Sequence, residues 1–129
     1  MKKEWQEATK QGELERVRLL LEAGADINSK DRHGQTALMN AAHAGQVGLV
    51  RLLIEKGADL DITAKYNLSA LMLALIARHA DVARLLIEAG ADVNIRSSRD
   101  FHGMTALRLA ESGGQSELAA LLRQRGAIS

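Results

Sequence analysis

The residue types that most often perform catalysis are either missing from this chain or placed without a catalytic spacing. The sequence contains no cysteine, so thiol catalysis, thiolate zinc sites and disulfides are excluded. Its serines form no Gly-x-Ser-x-Gly elbow, and Gly113-Gly114 lacks the Gly-Lys-Ser/Thr ending of a phosphate-binding P-loop. The sequence therefore predicts no catalytic residue, no cofactor site and no enzymatic activity.

The histidines also lack the spacing of metal ligands. They are His33, His43, His79 and His102, and no two are four residues apart, the separation that places two imidazoles on one helix face. His33 and His102 each precede a glycine, which indicates a shared structural position rather than a pair of ligands. We expect solvated histidines and no metal site.

Charge and hydropathy argue against two further classes of function. The net charge is +1, with nine basic and ten acidic residues in 1–64 and eight and six in 65–129. Phosphate binding needs concentrated positive charge, so we expect no nucleic-acid or membrane partner. No apolar run approaches the roughly 20 residues that cross a bilayer, and no apolar signal segment follows Met1-Lys2-Lys3. We therefore expect a cytoplasmic protein.

Small aliphatic side chains must fill the interior. Among 129 residues there is no proline, and the only aromatic residues are Trp5, Tyr66 and Phe101. A compact domain usually obtains much of its buried area from large rings, so here Leu, Ile, Val and Ala must replace them. We expect one small domain, 1–129, whose layers stack at close spacing.

The chain repeats itself with a period of 33 residues. The runs LLEAGADIN (20–28), LIEKGADLD (53–61) and LIEAGADVN (86–94) align without gaps, and a fourth glycine, Gly126, follows after an interval of 36. A second block precedes the later copies: TALMNAAHAGQVGLVRLL (36–53), SALMLALIARHADVARLL (69–86) and TALRLAESGGQSELAALL (105–122). Self-similarity at a fixed period indicates a repeat array.

Each repeat is predicted to contain an inner and an outer helix. Thr36, Ser69 and Thr105 are hydroxyl residues placed to cap the N-terminus of an inner helix rich in Ala, Leu and Met. After a reversal at residues 44–45, an apolar stripe predicts an outer helix over about 47–56. Neither helix could bury its apolar face alone, so we expect the copies to stack.

The connections between repeats have their own signals. Gly57 is predicted to end an outer helix in the left-handed conformation. Near the end of each connection, two residues before the cap residue, the chain has a residue that tolerates positive φ: Gly34, Asn67 and Gly103. Aspartates that recur with the repeat are predicted to form Asx turns rather than an acid–base pair: Asp26, Asp59 and Asp92.

These blocks resemble the ankyrin-repeat family, which has a 33-residue period, a T-P-L-H-x-A block and a G-A-D-V-N run. The resemblance extends over essentially the whole chain and implies an all-α solenoid of stacked helix-turn-helix repeats joined by β-hairpin-like loops. Alanine replaces the family's proline at positions 37, 70 and 106, and Met39, Met72 and Arg108 replace its histidine. Arg78 replaces the glycine between the helices of one repeat. We expect these departures to affect local stability and not the fold.

The repeats are predicted at about 1–30, 31–63, 64–96 and 97–129. The first contains a polar inner helix in which Trp5 has the position of Leu38, and the last has Arg123 where the others have an aliphatic residue. Terminal repeats need a polar outer side because no neighbour covers it. We therefore expect both end repeats to act as caps of a complete array.

Three additional residues lengthen the loop at 94–103. Insertions in repeat arrays often lie on the binding face. Neutral drift is the alternative, because loop-closure entropy grows slowly with length. The sequence leaves both interpretations open.

The family resemblance implies that a protein partner binds the loop tips and the exposed side of the inner helices. Carried over position by position, this surface comprises twelve residues: Arg32, His33, Gln35, His43, Lys65, Tyr66, Leu68, Ile76, Arg99, Phe101, His102 and Met104. Tyr66 and Phe101 are the predicted anchors, because aromatic rings beside arginine are common energetic centres of interfaces. Leu68, Ile76 and Met104 are expected to add an exposed apolar strip.

Non-catalytic protein recognition by a monomer is thus the predicted function, and the partner is a protein of unknown identity. An inhibitor or other regulator of one enzyme would be a special case of it. The alternative is an engineered or reconstructed scaffold without a dedicated natural partner. Irregularities between the repeats, such as Gly48, Asn67 and Arg78, favour a natural chain.

Overall fold

A computed structural model describes residues 2–128, and these residues form eight α-helices in four antiparallel pairs. The helices are α1 (Lys2–Gln11), α2 (Leu14–Glu22), α3 (Ala37–Ala44), α4 (Val47–Glu55), α5 (Ala70–Ile76), α6 (Ala80–Glu88), α7 (Ala106–Ser112) and α8 (Ser116–Gln124). Single turns of 3-10 helix lie at Lys65–Asn67 and Arg99–Phe101. The all-helical solenoid expected from the sequence is confirmed.

The helices stack in two layers. In the inner layer α1 packs on α3, α3 on α5 and α5 on α7, and in the outer layer α2, α4, α6 and α8 follow the same order. Hairpin-like loops precede α3, α5 and α7; we call residues 29–36, 62–69 and 95–105 the second, third and fourth fingers. Isolated antiparallel bridges, Lys30 with Thr36 and Arg96 with Thr105, close the second and fourth fingers.

The predicted helix caps are present. The hydroxyls of Thr36, Ser69 and Thr105 each accept a hydrogen bond from the backbone N–H three residues later. Met72, which replaces the family's histidine, supplies a sulfur that accepts from the Ser69 N–H at 3.4 Å, so a thioether partly substitutes for the lost imidazole. Helices α3, α5 and α7 therefore begin where the sequence places them.

The predicted turn chemistry is also confirmed. Gly57 and Asn67 have φ values of 86° and 58°, in the left-handed region. Arg78 takes the same conformation, with φ 64°, at the position where the family has glycine. Each predicted Asx carboxylate accepts from the N–H two residues ahead, at 2.9 Å in the case of Asp26 and Asn28.

The core is one continuous cluster of aliphatic residues that crosses every junction between helix pairs. Trp5 is its one large ring and is 2% exposed, in the position that Leu38 and Leu71 have in the following repeats. All residues of α5 from Ala70 to Leu75 are buried, because this helix has a neighbour on both sides. Burial therefore depends on stacking, as the sequence predicts.

Polar side chains at the start of the outer helices join adjacent repeats. Gln46 Nε2 donates to the carbonyl of Lys10 at 3.2 Å, and Gln115 Nε2 donates to that of Leu75 at 3.2 Å. The Lys10 carbonyl lies in the last turn of α1, where carbonyls lack an intrahelical partner, whereas the Leu75 carbonyl also accepts from the Arg78 N–H at 3.1 Å. His79 has the equivalent position, but its ring lies against Gly45: a Cβ at Gly45 would be 2.7 Å from the His79 Cε1 atom.

We predict that Leu71→Ala lowers the free energy of unfolding by about 2–5 kcal/mol, because it removes a buried side chain and leaves a cavity between α5 and its neighbours. Urea denaturation followed by circular dichroism measures this change. A variant that unfolds at the same urea concentration as the parent would contradict the packing described for α5.

Gly45→Ala is predicted to destabilise the array more than Gly57→Ala. Both glycines have positive φ, 74° and 86°, so each substitution costs about 1–2 kcal/mol in backbone conformation. Only the Gly45 Cβ also meets the His79 ring, which adds about 1–3 kcal/mol of overpacking. Equal losses in urea denaturation would show that the contact between these repeats is not tight.

Candidate interaction surface

The third and fourth fingers are joined by two hydrogen bonds. The Ser98 N–H donates to the Tyr66 carbonyl at 2.8 Å, and Asn67 Nδ2 donates to the Arg96 carbonyl at 2.8 Å. Tyr66 has a φ of 64°, an unusual value for a large residue, and the following Asn67 is also left-handed. The bonds to the neighbouring finger hold this turn, and they fix how the two tips lie against each other.

The predicted anchors Tyr66 and Phe101 contact each other at these tips. Their ring centroids are 5.8 Å apart with an interplanar angle of 34°, within the range of a favourable aromatic pair. The Lys65 ammonium lies 5.0 Å from the Tyr66 centroid, close enough for a cation–π contact. Tyr66 remains 39% exposed, whereas Phe101 is half-buried against the core. Two repeats thus present one amphipathic cluster.

One predicted surface residue is placed differently from the expectation. Leu68 is 7% exposed and belongs to the core, so the prediction that it lies on an exposed apolar strip is wrong. It directly precedes the cap residue Ser69, a position whose apolar side chain commonly packs against the fourth residue of the helix. That residue is Leu73, which is buried in the same cluster.

The other members of the strip differ in exposure. Ile76, at the end of α5, is 39% exposed, and Met104 is half-buried next to the cap residue Thr105. The exposed apolar surface of the inner side is therefore smaller than the sequence suggests. It consists mainly of Ile76 and the ring pair.

The polar residues of the predicted binding surface are exposed or half-buried. Arg99 and His102 are exposed on the fourth finger, on either side of Phe101, and His43 is exposed on α3. In the second finger, Arg32 and His33 are exposed and Gln35 is half-buried. Arg32 Nε donates to His33 Nε2 at 3.4 Å, so these two side chains form one unit.

A groove of about 570 Å³ lies between α1 and the second finger. It contains three predicted surface residues, Arg32, His33 and Gln35. Its remaining lining comes mainly from residues that sequence reasoning did not select: Trp5, Gln6, Thr9, Lys10, Asp31, Asn40 and Gln46. Three of the twelve predicted residues thus lie in this groove, five lie at the tips of the third and fourth fingers (Lys65, Tyr66, Arg99, Phe101 and His102), and the others lie outside both places.

The position of Lys10 on the inner side could be predicted from the sequence. It precedes His43 by 33 residues, and His43 precedes Ile76 by the same interval, so the repeat period predicts one shared position on the inner helices. Asp31 gave no comparable signal. Its equivalents in the finger hydrogen-bond pattern are Ala64, which has no polar side chain, and Ser97, whose hydroxyl is a shared acceptor but carries no charge, so the position does not repeat as an aspartate.

Asp31 organises the second finger. Its Oδ1 accepts from the N–H groups of His33 and Gln35 at 2.8 and 3.0 Å, and its Oδ2 accepts from Asn40 Nδ2 at 3.1 Å. Partial burial raises the pKa of Asp31, but the hydrogen bonds from Gln35, Asn40 and His33 outweigh it and hold the pKa below its ordinary value. The carboxylate is therefore a structural acceptor inside the groove wall.

Ser97 has the corresponding role in the lengthened fourth finger. Its hydroxyl accepts from the Met104 N–H at 2.7 Å and donates to the Phe101 carbonyl at 3.0 Å. Arg96 also donates to the Gly103 carbonyl at 2.8 Å. The additional residues therefore form a closed loop with its own hydrogen bonds, and this loop positions Phe101 beside Tyr66.

Comparison with models of known protein families identifies the family of this chain. A family model described as ankyrin repeats (3 copies) matches residues 5–97 and 68–128. The chain therefore belongs to the ankyrin-repeat family. The family model contains three copies, and its two overlapping matches run along the four helix pairs seen here. No curated protein matches the sequence significantly.

Ankyrin repeats are generally protein-interaction modules and are typically non-catalytic. Within residues 2–128, no three His, Asp or Glu side chains lie together in an arrangement that could hold a metal ion. None of the helices in this range has the length and apolar character needed to cross a membrane.

We predict that part of the stability depends on ionised Asp31. Because its folded pKa is lower than its unfolded pKa, the contribution is present above the unfolded value and is lost as the pH falls through the folded value. Urea denaturation at a series of acidic pH values should therefore show a steeper loss for the parent than for Asp31→Asn. Parallel pH profiles for the two proteins would contradict this role.

Proposed function

We propose that this ankyrin array is a non-catalytic recognition module that binds a protein partner through its finger tips and the exposed side of its inner helices. The contact between Tyr66 and Phe101 is the main support. The two rings come from different repeats, remain partly accessible and have Lys65 and Arg99 beside them on the same tips. Rigid aromatic side chains next to cations are typical centres of binding energy.

The rigidity of this cluster favours binding. Ordering a free side chain at an interface costs about 0.5–1.5 kcal/mol. Here the hydrogen bonds between the third and fourth fingers already position both rings, so a partner would meet a surface that needs little rearrangement. Ile76, at the other end of α5, is a further exposed apolar residue of the inner side.

We further propose that the four repeats, 1–129, act as one monomeric domain in the cytoplasm. The absence of cysteine removes any dependence on an oxidising compartment. An engineered scaffold is the alternative. The left-handed Arg78 argues against it, because a consensus design would place glycine there, whereas here Arg78 donates to the Gly113 carbonyl at 2.7 Å.

We predict that the double variant Tyr66→Ala, Phe101→Ala folds normally but captures its partner at least about tenfold more weakly, a loss of about 1.4 kcal/mol. The immobilised protein would be incubated with extract of its native cells, and bound proteins compared between parent and variant. Circular dichroism would confirm that the helices are retained.

The matched control is Leu19→Ala, Ile128→Ala. These side chains are 58% and 64% exposed and lie outside the fingers, so the control removes a similar amount of exposed apolar surface elsewhere. A partner lost from the first variant and kept by the control supports the proposal. A partner kept by both would place the binding site on another face.

A further inference from the structure

The charges of this chain are divided between the two sides of the array. We define the inner side as the fingers and inner helices, residues 2–12, 29–45, 62–78 and 95–114. The outer side is then the outer helices with the turns that follow them, residues 13–28, 46–61, 79–94 and 115–128. Ten basic and five acidic residues lie on the inner side, and seven basic and eleven acidic residues lie on the outer side.

The net charge of +1 does not reveal this division, because the charges of the two sides nearly cancel. The inner side has an excess of five positive charges, and the outer side has an excess of four negative charges. Fields of opposite sign on two sides of a protein orient a charged partner before contact. The inner side is also the side that contains the groove and the ring pair.

Positive charge is concentrated at the groove between α1 and the second finger. Lys10 and Arg32 line the groove itself, and Lys2, Lys3 and Glu7 line a shallower depression that shares Gln6 and Lys10 with it. The four basic side chains are exposed. The acidic residue within the groove is Asp31, whose two oxygens already accept three hydrogen bonds from its own finger.

The polar lining of the groove suits a peptide backbone. Gln6, Gln35 and Asn40 carry side-chain amides, which can both donate to and accept from an extended chain. A volume of about 570 Å³ accommodates several residues of such a chain. Lysine and arginine at the rim would then meet acidic side chains of the occupant.

We propose that this groove binds an acidic, extended peptide segment of the protein partner. The inference rests on the proposed function and adds to it the charge of the partner and the place where that charge is recognised. Lys10 and Arg32 provide the charge recognition, and the amides of the groove hold the backbone.

A nucleic acid fits the inner side less well than an acidic peptide. Four of its five acidic residues, Glu4, Glu7, Asp100 and Glu111, are exposed among the basic ones. Phosphates repeat at every nucleotide, so a strand along this surface would place some phosphates beside carboxylates. An acidic peptide can instead carry neutral residues at those points.

Two labelled peptides test the proposal. One alternates glutamate with leucine, glycine and serine, and the other has glutamine at every glutamate position. Fluorescence anisotropy at low salt should show that the glutamate peptide binds at least about tenfold more tightly. Its affinity should fall as salt is added, because exposed charge pairs are screened.

Two variants of equal net charge locate the site. Lys10→Glu with Arg32→Glu should weaken binding of the glutamate peptide at least about tenfold. Arg51→Glu with Lys56→Glu makes the same change in charge on the outer side and should change the affinity less than about threefold. The pairs are well matched, because Lys10 and Lys56 each lie at the C-terminal end of a helix.

Several results would overturn the proposal. These are equal affinity for the two peptides, no binding of either peptide, equal losses in the two variants, or displacement of the glutamate peptide by a single-stranded oligonucleotide at lower concentration than by unlabelled peptide. If any of these occurred while partner capture still required Tyr66 and Phe101, the proposed function would stand and the acidic specificity would fall. If the peptide test failed and partner capture did not depend on Tyr66 and Phe101, both proposals would be wrong.

Discussion

Each helix pair in this chain depends on its neighbours for a hydrophobic interior. A pair of helices with one aliphatic stripe each is too thin to bury that stripe, so the apolar surface disappears only at the junctions between pairs. Burial follows this constraint: α5, between two neighbours, has six buried residues out of seven, whereas α1 has three out of ten. The stability of any repeat is therefore a property of the contacts that it makes with the next one.

The same junctions determine where the surface residues lie. Gln46 and Gln115 each fix the end of one inner helix to the start of the outer helix in the next repeat, and the stack that results sets the distance between adjacent fingers. The Tyr66 and Phe101 rings meet because two fingers stand side by side and because the lengthened fourth finger extends toward the third. A recognition surface on such an array is thus assembled from residues that are neighbours only after stacking.

The parts of the structure that follow from local chemistry could be predicted from the sequence. A hydroxyl residue before an Ala- and Leu-rich run predicts a cap at Thr36, and asparagine in place of glycine predicts positive φ at Asn67. The burial of Leu68 could also be predicted from local chemistry, because Leu68 precedes the predicted cap Ser69 and Leu73 follows as the fourth residue of the helix. The contact between Tyr66 and Phe101 could not be predicted in this way, because it requires the relative positions of two loops. The position of Lys10 follows from the period, because Lys10 precedes His43 by 33 residues.

A regular series of hydrogen bonds also crosses the turns on the outer side. Asn28 Oδ1 accepts from the Asp59 N–H at 2.9 Å, Asp61 Oδ1 accepts from the Asp92 N–H at 2.8 Å, and Asn94 Oδ1 accepts from the Ile128 N–H at 2.9 Å. The third bond spans three more residues than the others, yet it joins the same structural positions, because the additional residues lie in the fourth finger between its ends. Addition or removal of one whole period would therefore leave an equivalent joint on the outer side. The joint does not depend on the length of the finger, and the three additional residues of this chain are accommodated in the fourth finger.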